Sequence, residues 1–572
     1  MLSTLKKYWG YDAFRPRQEE IIASALEGRD LLALLPTGGG KSICFQVPAM
    51  MKEGICIVVS PLIALMKDQV ENLRAKGIPA LLVCAGMSRR EIDIALDNAV
   101  YGQYKFLYVS PERLRSDMFL ARAAKMNVNY LVVDEAHCIS QWGYDFRPEY
   151  LMIAQVRDKI SGTAFGGHPP VLALTATATR AVADDIMEKL AFCEKNLIVS
   201  GFERPNLSYC ARECENKLGQ VLKVCRGVPG SGIVYVSRRK SAEEVAAFLQ
   251  SQGVDAAAYH AGMNGKVRAA VQDAWKRGEK RVIVSTNAFG MGIDKGDVRF
   301  VCHYDLPQSP EAYFQEAGRA GRDGKLSYAL LIWNNSDVRR LQQILETTYP
   351  PLEYIKDIYQ KVHNFLEVPY EQGKDRGFKF DLAAFAKQYK LQSAKAYYAI
   401  KYIEMSGYWT LTEELDIPSR LSILVSRDAL YGIQLDSAET DAFLKVLMRM
   451  YEGLYNGYVS IDEERIAQVG RYSVLAVEKK LKWLASRGIL RYIPKVTSPM
   501  LYLGGERLYP ENLRLDKREY DERVGRYKTR LDAIVGYAKN TGRCRSQMLL
   551  EYFGQTESAP CGVCDWCRSQ KN

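Results

Sequence analysis

No stretch of 18 uncharged apolar residues occurs in this chain, and its N-terminus, MLSTLKKYWGYDAFRPRQ, lacks the apolar core of a signal peptide. Neither a membrane span nor secretion is therefore expected, and the expectation is a soluble, cytoplasmic protein, nucleoid-associated if its source is bacterial. Pairing logic is also missing from most of the cysteines. Nine of the 13 are scattered between Cys44 and Cys302, as small core residues of a reducing compartment would be. Neither sign of charge is scarce: 78 Lys+Arg face 67 Asp+Glu, and the formal +11 suits a polyanion such as nucleic acid without requiring one. The 47% apolar and 25% charged content is that of an ordinary globular chain, and 572 residues exceed what one core organises.

From the start to about residue 345, short Val-, Ile- and Leu-rich runs alternate with helical stretches, as parallel α/β domains require. Such runs are GICIVVS at 54, YLVVDEAH at 130, VLALTATAT at 171, GIVYVS at 232 and RVIVSTNAFG at 281. The polar GFERPNLSY at 201 breaks the rhythm and divides residues 1–200 from 201–345. From 346 to 515 the pattern is helical with little strand. One segment there carries Leu382, Phe385 and Tyr389, then Tyr397, Ile400 and Ile403, then Gly407 and YWTL. A second carries Ser460 and Glu463 as a capping box, Ile466 and Val469, then Val477, Leu481 and Leu484, then Gly488 and ILRYI. Each reads helix, turn, helix, strand, which fits either a winged helix for duplex DNA or a packing module without DNA contact.

LLPTGGGKS at 34–42 stands between an apolar strand and a helix, the setting of a phosphate-binding loop. Gly38, Gly39 and Gly40 would let amides close around phosphate oxygens, Lys41 would reach the β- and γ-phosphates of ATP, and Ser42 would hold Mg²⁺. The strict motif would have Gly where this chain has Leu35. At the end of YLVV, Asp134 would anchor Mg²⁺ and Glu135 would orient and deprotonate the attacking water, with His137 as a relay. In QEAGRAGRDG, Arg319 and Arg322 share one face and would bring cations from the second domain to the γ-phosphate, which makes hydrolysis depend on domain closure.

The remaining cysteines form a pattern. Cys544, Cys561, Cys564 and Cys567 give C-x16-C-x2-C-x2-C, the spacing for four thiolates around one structural Zn²⁺.

With phosphate loop, DEAH, TATAT and GRAGRDG in this order, the first 340 or so residues resemble a superfamily 2 helicase core, and several stretches narrow the resemblance to the RecQ family. These are GYDAFRPRQEEII at 10, SPLIALMKDQV at 60, AYHAG at 258, STNAFGMGIDKGDVRFVCHYDLPQS at 285 and above all CISQWGYDFRPEY after the DEAH box. The resemblance implies two tandem RecA-like α/β domains, helical winged-helix-like modules over 346–515 and a C-terminal zinc module over 516–572. It implies that Tyr11, Arg15 and Gln18 contact adenine and that Trp142, Phe146 and Arg147 couple DNA binding to hydrolysis. It further implies 3′-to-5′ movement on single-stranded and forked DNA, in recombination and repair, among single-strand-binding or repair proteins. In typical members the zinc module follows the core directly and a winged helix comes after it, whereas here about 170 residues intervene. An RNA helicase or a non-unwinding duplex translocase would use the same motor, and a DNA-binding scaffold would not need Lys41, Asp134, Glu135, Arg319 and Arg322 together.

Overall fold

The computed structural model describes every residue except 37, 141–146, 161–164, 290–294, 413–418, 426–437, 452, 456, 495–498 and 572. The chain forms two compact units, Met1–Gln342 with Gly525–Asn572, and Gln343–Val524.

In the first unit, strands β1 (Leu31–Leu34), β2 (Ile55–Val59), β3 (Ala80–Val83), β4 (Phe106–Val109), β5 (Val128–Val133), β6 (Val171–Thr175) and β7 (Leu197–Val199) form one sheet in the order β3-β4-β2-β5-β6-β1-β7. Every pairing is parallel. Parallel strands covered by helices on both faces need continuous apolar runs, and β2 (ICIVV) and β5 (VNYLVV) are buried at every position. Because β5, β6 and β1 are neighbours, the DEAH box, the TATAT segment and the phosphate loop emerge side by side at the carboxyl ends of the strands, where open α/β sheets bind ligands.

A second parallel sheet follows in the same unit: β8 (Leu207–Glu213), β9 (Ser231–Tyr235), β10 (Ala256–Tyr259), β11 (Val282–Ser285), β12 (Val298–His303) and β13 (Ser327–Trp333), ordered β10-β11-β9-β12-β13-β8. Between β12 and β13 runs the helix Pro310–Ala317, started by Ser309, whose side chain accepts from the Ala312 amide, and by Pro at its first position. This helix leads directly into the arginine turn. The end of the chain covers the outer strand β8. Ser208 Oγ donates to the Val563 carbonyl at 2.7 Å, and the Ala211 amide, a ladder group that an open edge would expose, donates to Asp565 Oδ2 at 2.9 Å.

The second unit holds β14 (Gly377–Lys379), β15 (Trp409–Leu411), β16 (Ser419–Ile423), β17 (Val459–Ile461), β18 (Leu490–Ile493) and β19 (Met500–Leu503). They form two antiparallel sheets, β14-β19-β15 and β17-β16-β18, each packed with helices around its own core. The two helical segments are therefore nested rather than consecutive. β19 returns to pair with both β14 and β15 after the whole β16–β18 module has been inserted between β15 and itself. Three local readings are corrected here. Ser460 lies on β17, and the cap of the helix Glu463–Gly470 is Asp462, whose carboxylate accepts from the amides of Glu464 and Arg465. Tyr397 and Val469 are exposed, because Ala396, Ile400 and Ile403 in one helix and Ile466 and Ala467 in the other turn the buried face away from them.

Candidate active site and metal centre

The phosphate loop takes its shape from conformations that side chains oppose. Gly38 and Gly40 stand at φ +82° and +79°, and a Cβ on Gly39 would come within 2.9 Å of the Pro36 carbonyl oxygen. Gly40 caps the helix Lys41–Met51, which turns unpaired amides and the positive end of the helix dipole toward the loop. The segment resembling an adenine-recognition motif clamps this loop. Gln18 Nε2 donates to the carbonyls of Gly39 and Gly40 at 3.1 Å each, Gln18 Oε1 accepts from the Arg15 amide at 2.9 Å, and the Arg15 guanidinium donates to the Gly38 carbonyl. Tyr11 is 55% exposed and lines the same cleft as Arg15, Gln18, Lys41 and Ser42.

Strand β5 delivers Asp134 and Glu135 to the floor of this cleft of about 670 Å³. Glu135 is buried and held at φ +47°, a left-handed conformation that costs a non-glycine residue about 1–3 kcal/mol and occurs at functional sites. Its Oε1 accepts from Lys41 Nζ at 3.0 Å. Asp134 Oδ2 accepts from Ser60 Oγ at 3.2 Å, and the Tyr150 hydroxyl donates to the Asp134 carbonyl at 3.0 Å. His137 Nδ1 lies 2.9 Å from Thr175 Oγ1 of the TATAT segment and 3.5 Å from Glu135 Oε2. Ser60, Tyr150 and Thr175 are contacts that the sequence reading does not single out, although the motifs containing Ser60 and Thr175 are visible in it.

The adjacent carboxylates divide their proton affinity. Burial and the Glu135 charge push Asp134 up to about 6. Burial would raise Glu135 as well, but Lys41, His137 and Arg319 overcome it and hold this carboxyl below its ordinary value. Burial works against the charge on Lys41, yet Glu135 and Asp134 keep its affinity raised, so the pair stays ionised. Asp134 and the Ser42 hydroxyl are hard oxygen donors in one cleft, and a carboxylate desolvated beside another is suited to a divalent cation such as Mg²⁺.

The cleft is completed from the second sheet. Arg319 and Arg322 line it together with Lys41, Asp134 and Glu135. The Arg322 side chain lies against the phosphate loop, where a Cβ on Gly38 would meet its Cγ at 3.1 Å. Trp142 and Phe146 lie outside the described residues. Arg147 is described, and its Nη1 donates to the Pro61 carbonyl at 3.3 Å while its amide donates to Cys138 at 2.8 Å.

The ligand atoms of Cys544, Cys561, Cys564 and Cys567 all lie within 4.8 Å of one another. Zn–S bonds of ~2.3 Å in a tetrahedron place sulfurs ~3.8 Å apart. Here Cys544 is 3.5 Å from Cys561 and 3.8 Å from Cys564, and Cys561 is 4.0 Å from Cys567. Amides of Cys561, Cys564 and Cys567 donate to neighbouring sulfurs at 3.3–3.4 Å, as thiolates in a metal knuckle require. The residues fit zinc.

Four family descriptions match the chain: DEAD/DEAH box helicase over 15–186, helicase conserved C-terminal domain over 215–324, RecQ helicase winged-helix domain (Bacteroidota) over 421–494 and RecQ zinc-binding over 511–568. The ATP-dependent DNA helicase RecQ of Haemophilus influenzae is 43% identical over 345 residues, which cover 60% of this chain and 55% of that protein. The probable ATP-dependent DNA helicase RecS of Bacillus subtilis is 41% identical over 360 residues, covering 62% of this chain and 71% of that protein. The chain belongs to the RecQ helicase family. Its matched part spans about half the length of the Haemophilus RecQ. Among solved structures, the DNA-bound crystal structure of the DUF1998 helicase MrfA is similar at TM-score 0.49 and 17% identity, over 60% of this chain and 52% of that one. In this RecQ chain the winged-helix match falls on the nested β16–β18 module and precedes the zinc-binding match. Among the described residues no helix is long and apolar enough to cross a membrane.

Proposed function

We propose that this chain is an ATP-driven DNA helicase that moves 3′ to 5′ on single-stranded DNA and separates the strands of forked or duplex substrates in intracellular recombination and repair. The observation that carries the reading is the convergence of Arg319 and Arg322, from the second sheet, on the cleft that holds Lys41, Asp134 and Glu135 of the first.

In this reading the adenine of ATP meets Tyr11, Arg15 and Gln18, and the amides of the phosphate loop with Lys41 grip the β- and γ-phosphates. Ser42 and Asp134 would hold Mg²⁺, which would supply charge neutralisation on the phosphates. Glu135, kept ionised by Lys41 and Arg319, orients the attacking water and takes its proton, and His137 connects this carboxylate to Thr175. Arg322 and Arg319 stabilise charge on the transferring phosphoryl group, a contribution on the order of 10³–10⁵ in turnover. Since these cations come from another sheet, hydrolysis requires the two halves to close, and alternating closure moves a strand lying across them. Trp142 and Phe146 would stack on unpaired bases and Arg147 would meet the backbone, linking the strand to the DEAH box. Neither kind of contact reads sequence.

The test is unwinding of forked duplexes carrying only a 3′ or only a 5′ single-stranded arm, in DNA and in RNA, with ATP and Mg²⁺. Separation of the 3′-armed DNA alone is expected. Preference for RNA, or ATP hydrolysis without separation of any substrate, would replace this reading by an RNA helicase or a duplex translocase.

A further inference from the structure

The link between the two sheets is short and fastened at both ends. β7 closes at Val199, and the next amide, that of Ser200, donates to the Leu34 carbonyl at 2.9 Å, at the strand end that opens the phosphate loop. Two residues later the buried Phe202 belongs to the other side. Its amide donates to Gln555 Oε1 at 3.2 Å, and its ring packs edge-on against Phe314 of the helix that leads into the arginine turn. Arg204, Pro205, Asn206 and Leu207 follow. Proline in the second position sets φ for a tight turn, and the Leu207 amide closes that turn on the Arg204 carbonyl at 3.0 Å.

The turn aims both of its polar side chains at one target. Arg204 Nη1 donates to the Gly318 carbonyl at 3.0 Å, and Nη2 donates to those of Ala320 at 2.7 Å and Gly321 at 3.2 Å. Asn206 Nδ2 donates to the Gly321 carbonyl at 2.7 Å and to that of Lys325 at 3.0 Å. Gly318 and Ala320 flank Arg319, and Gly321 precedes Arg322, so the link grips the backbone that carries both cleft arginines. A guanidinium is planar with its donors in a fixed fork, and three carbonyls can share it only in one relative arrangement. Gly321 shows how close the fit is. It stands at φ +64°, and a Cβ there would meet Asn206 Nδ2 at 2.5 Å.

We propose that Arg204 is a positioning residue for hydrolysis: it fixes the backbone of the arginine turn, and through that backbone the approach of Arg319 and Arg322 to the γ-phosphate. The inference rests on the reading of the cleft as an ATPase site. Arg204 is not among the described residues that line the cleft, so it acts only through the turn.

The test uses the full chain and reads kcat and KM for ATP, the thermal midpoint, and affinity for ADP alone and for ADP with aluminium fluoride, a mimic of the transferring phosphoryl group. Arg204→Met keeps the length of the side chain and removes its donors. It is expected to lower kcat on the order of 10²-fold, the effect of a misplacement of about 1 Å, with KM and ADP affinity unchanged. Affinity for the mimic should fall by a similar factor, because that complex engages the arginines as turnover does. An affinity does not depend on how much of the protein is folded, so a merely structural role would leave the ratio of the two affinities unmoved. Arg204→Lys, which keeps the charge but not the fork, should lie between wild type and Arg204→Met. With Arg319→Ala and Arg322→Ala already in place, Arg204→Met should cause no further loss of affinity for the mimic. Wild-type kcat in Arg204→Met, equal losses for ADP and the mimic, or a loss that persists in the doubly substituted background would overturn the proposal. If Arg204→Met shows no folding transition, Arg204→Lys and Asn206→Ala carry the test, and unchanged kcat and mimic affinity in both overturn it. Lys41→Ala separates the two claims. Hydrolysis retained there refutes the ATPase site itself, whereas hydrolysis lost there with Arg204→Met at the wild-type rate refutes only the positioning.

Discussion

Asp30 is buried at the start of β1, where it accepts from Arg157 Nη2 at 2.7 Å and from the amides of Val171 and Cys193 at 2.9 Å. Its Arg157 partner is 7% exposed, so Asp30→Ala would leave an uncompensated buried cation and two amides without an acceptor. A loss of about 3–5 kcal/mol in the urea unfolding of the first unit, Met1–Gln342 with Gly525–Asn572, is expected. The sequence hides this pair, since 127 residues separate its members and neither belongs to a recognisable motif. The same is true of His363, which is buried and donates through Nδ1 to the Tyr359 carbonyl at 2.9 Å. Burial lowers its pKa to about 4. The unfolded chain, with an ordinary value near 6.5, therefore binds this proton more readily than the folded one. Stability of the second unit, Gln343–Val524, should be full above about pH 6.5 and fall as the pH drops toward 4, by about 3 kcal/mol in all. Denaturant midpoints across that range should show the fall, and His363→Gln should remove most of it. Lys41, Glu135 and the arginines were legible as candidate site residues because their motifs have fixed residue types, whereas the left-handed backbone of Glu135 leaves no trace in the sequence.

At the scale of elements, the helix Val474–Ser486 of the nested module exposes Leu475, Lys479 and Lys482 at helical spacing while Val477, Leu481 and Leu484 are buried. In a winged helix this second helix meets duplex DNA, and phosphate-binding lysines act through counterion release. Lys479→Ala with Lys482→Ala should weaken duplex binding uniformly across sequences and reduce the salt slope of log K by about 2, with ATP hydrolysis on single strands unchanged. An unchanged slope would favour the packing role that the sequence alone leaves equally open. Zinc makes a second prediction. One Zn²⁺ per chain should be found by elemental analysis, and its removal by a chelator should unfold the segment after Arg543, since site formation is worth about 10–16 kcal/mol. The outer strand β8 would then lose its cover, so aggregation should accompany removal. Helices and buried strands were readable from periodicity, and the cysteine spacing gave the metal site. The nesting was not readable. β14, β15 and β19 have three or four residues each, too few for a period, and the pairing of β15 with β19 spans an entire inserted module.

At the scale of the whole molecule, the order of motifs along the chain pointed to two tandem α/β domains, but only the sheet topology explains why the motifs lie together. β5, β6 and β1 are adjacent, so the DEAH box, TATAT and the phosphate loop share one rim, and the arginine turn meets that rim from the second sheet. Sequence spacing carries no information about such neighbours, because the crossover helices between them vary freely in length. In the proposed function, the division of one candidate catalytic site between two sheets would turn hydrolysis into movement. It is tested most directly by steady-state ATP hydrolysis of the full chain with no nucleic acid, with single-stranded DNA and with RNA, for the wild type and for Arg322→Ala. The account predicts strong stimulation by DNA over RNA, and a loss on the order of 10³-fold in Arg322→Ala with nucleotide binding largely kept. Equal rates under all three conditions, or wild-type turnover in Arg322→Ala, would contradict it.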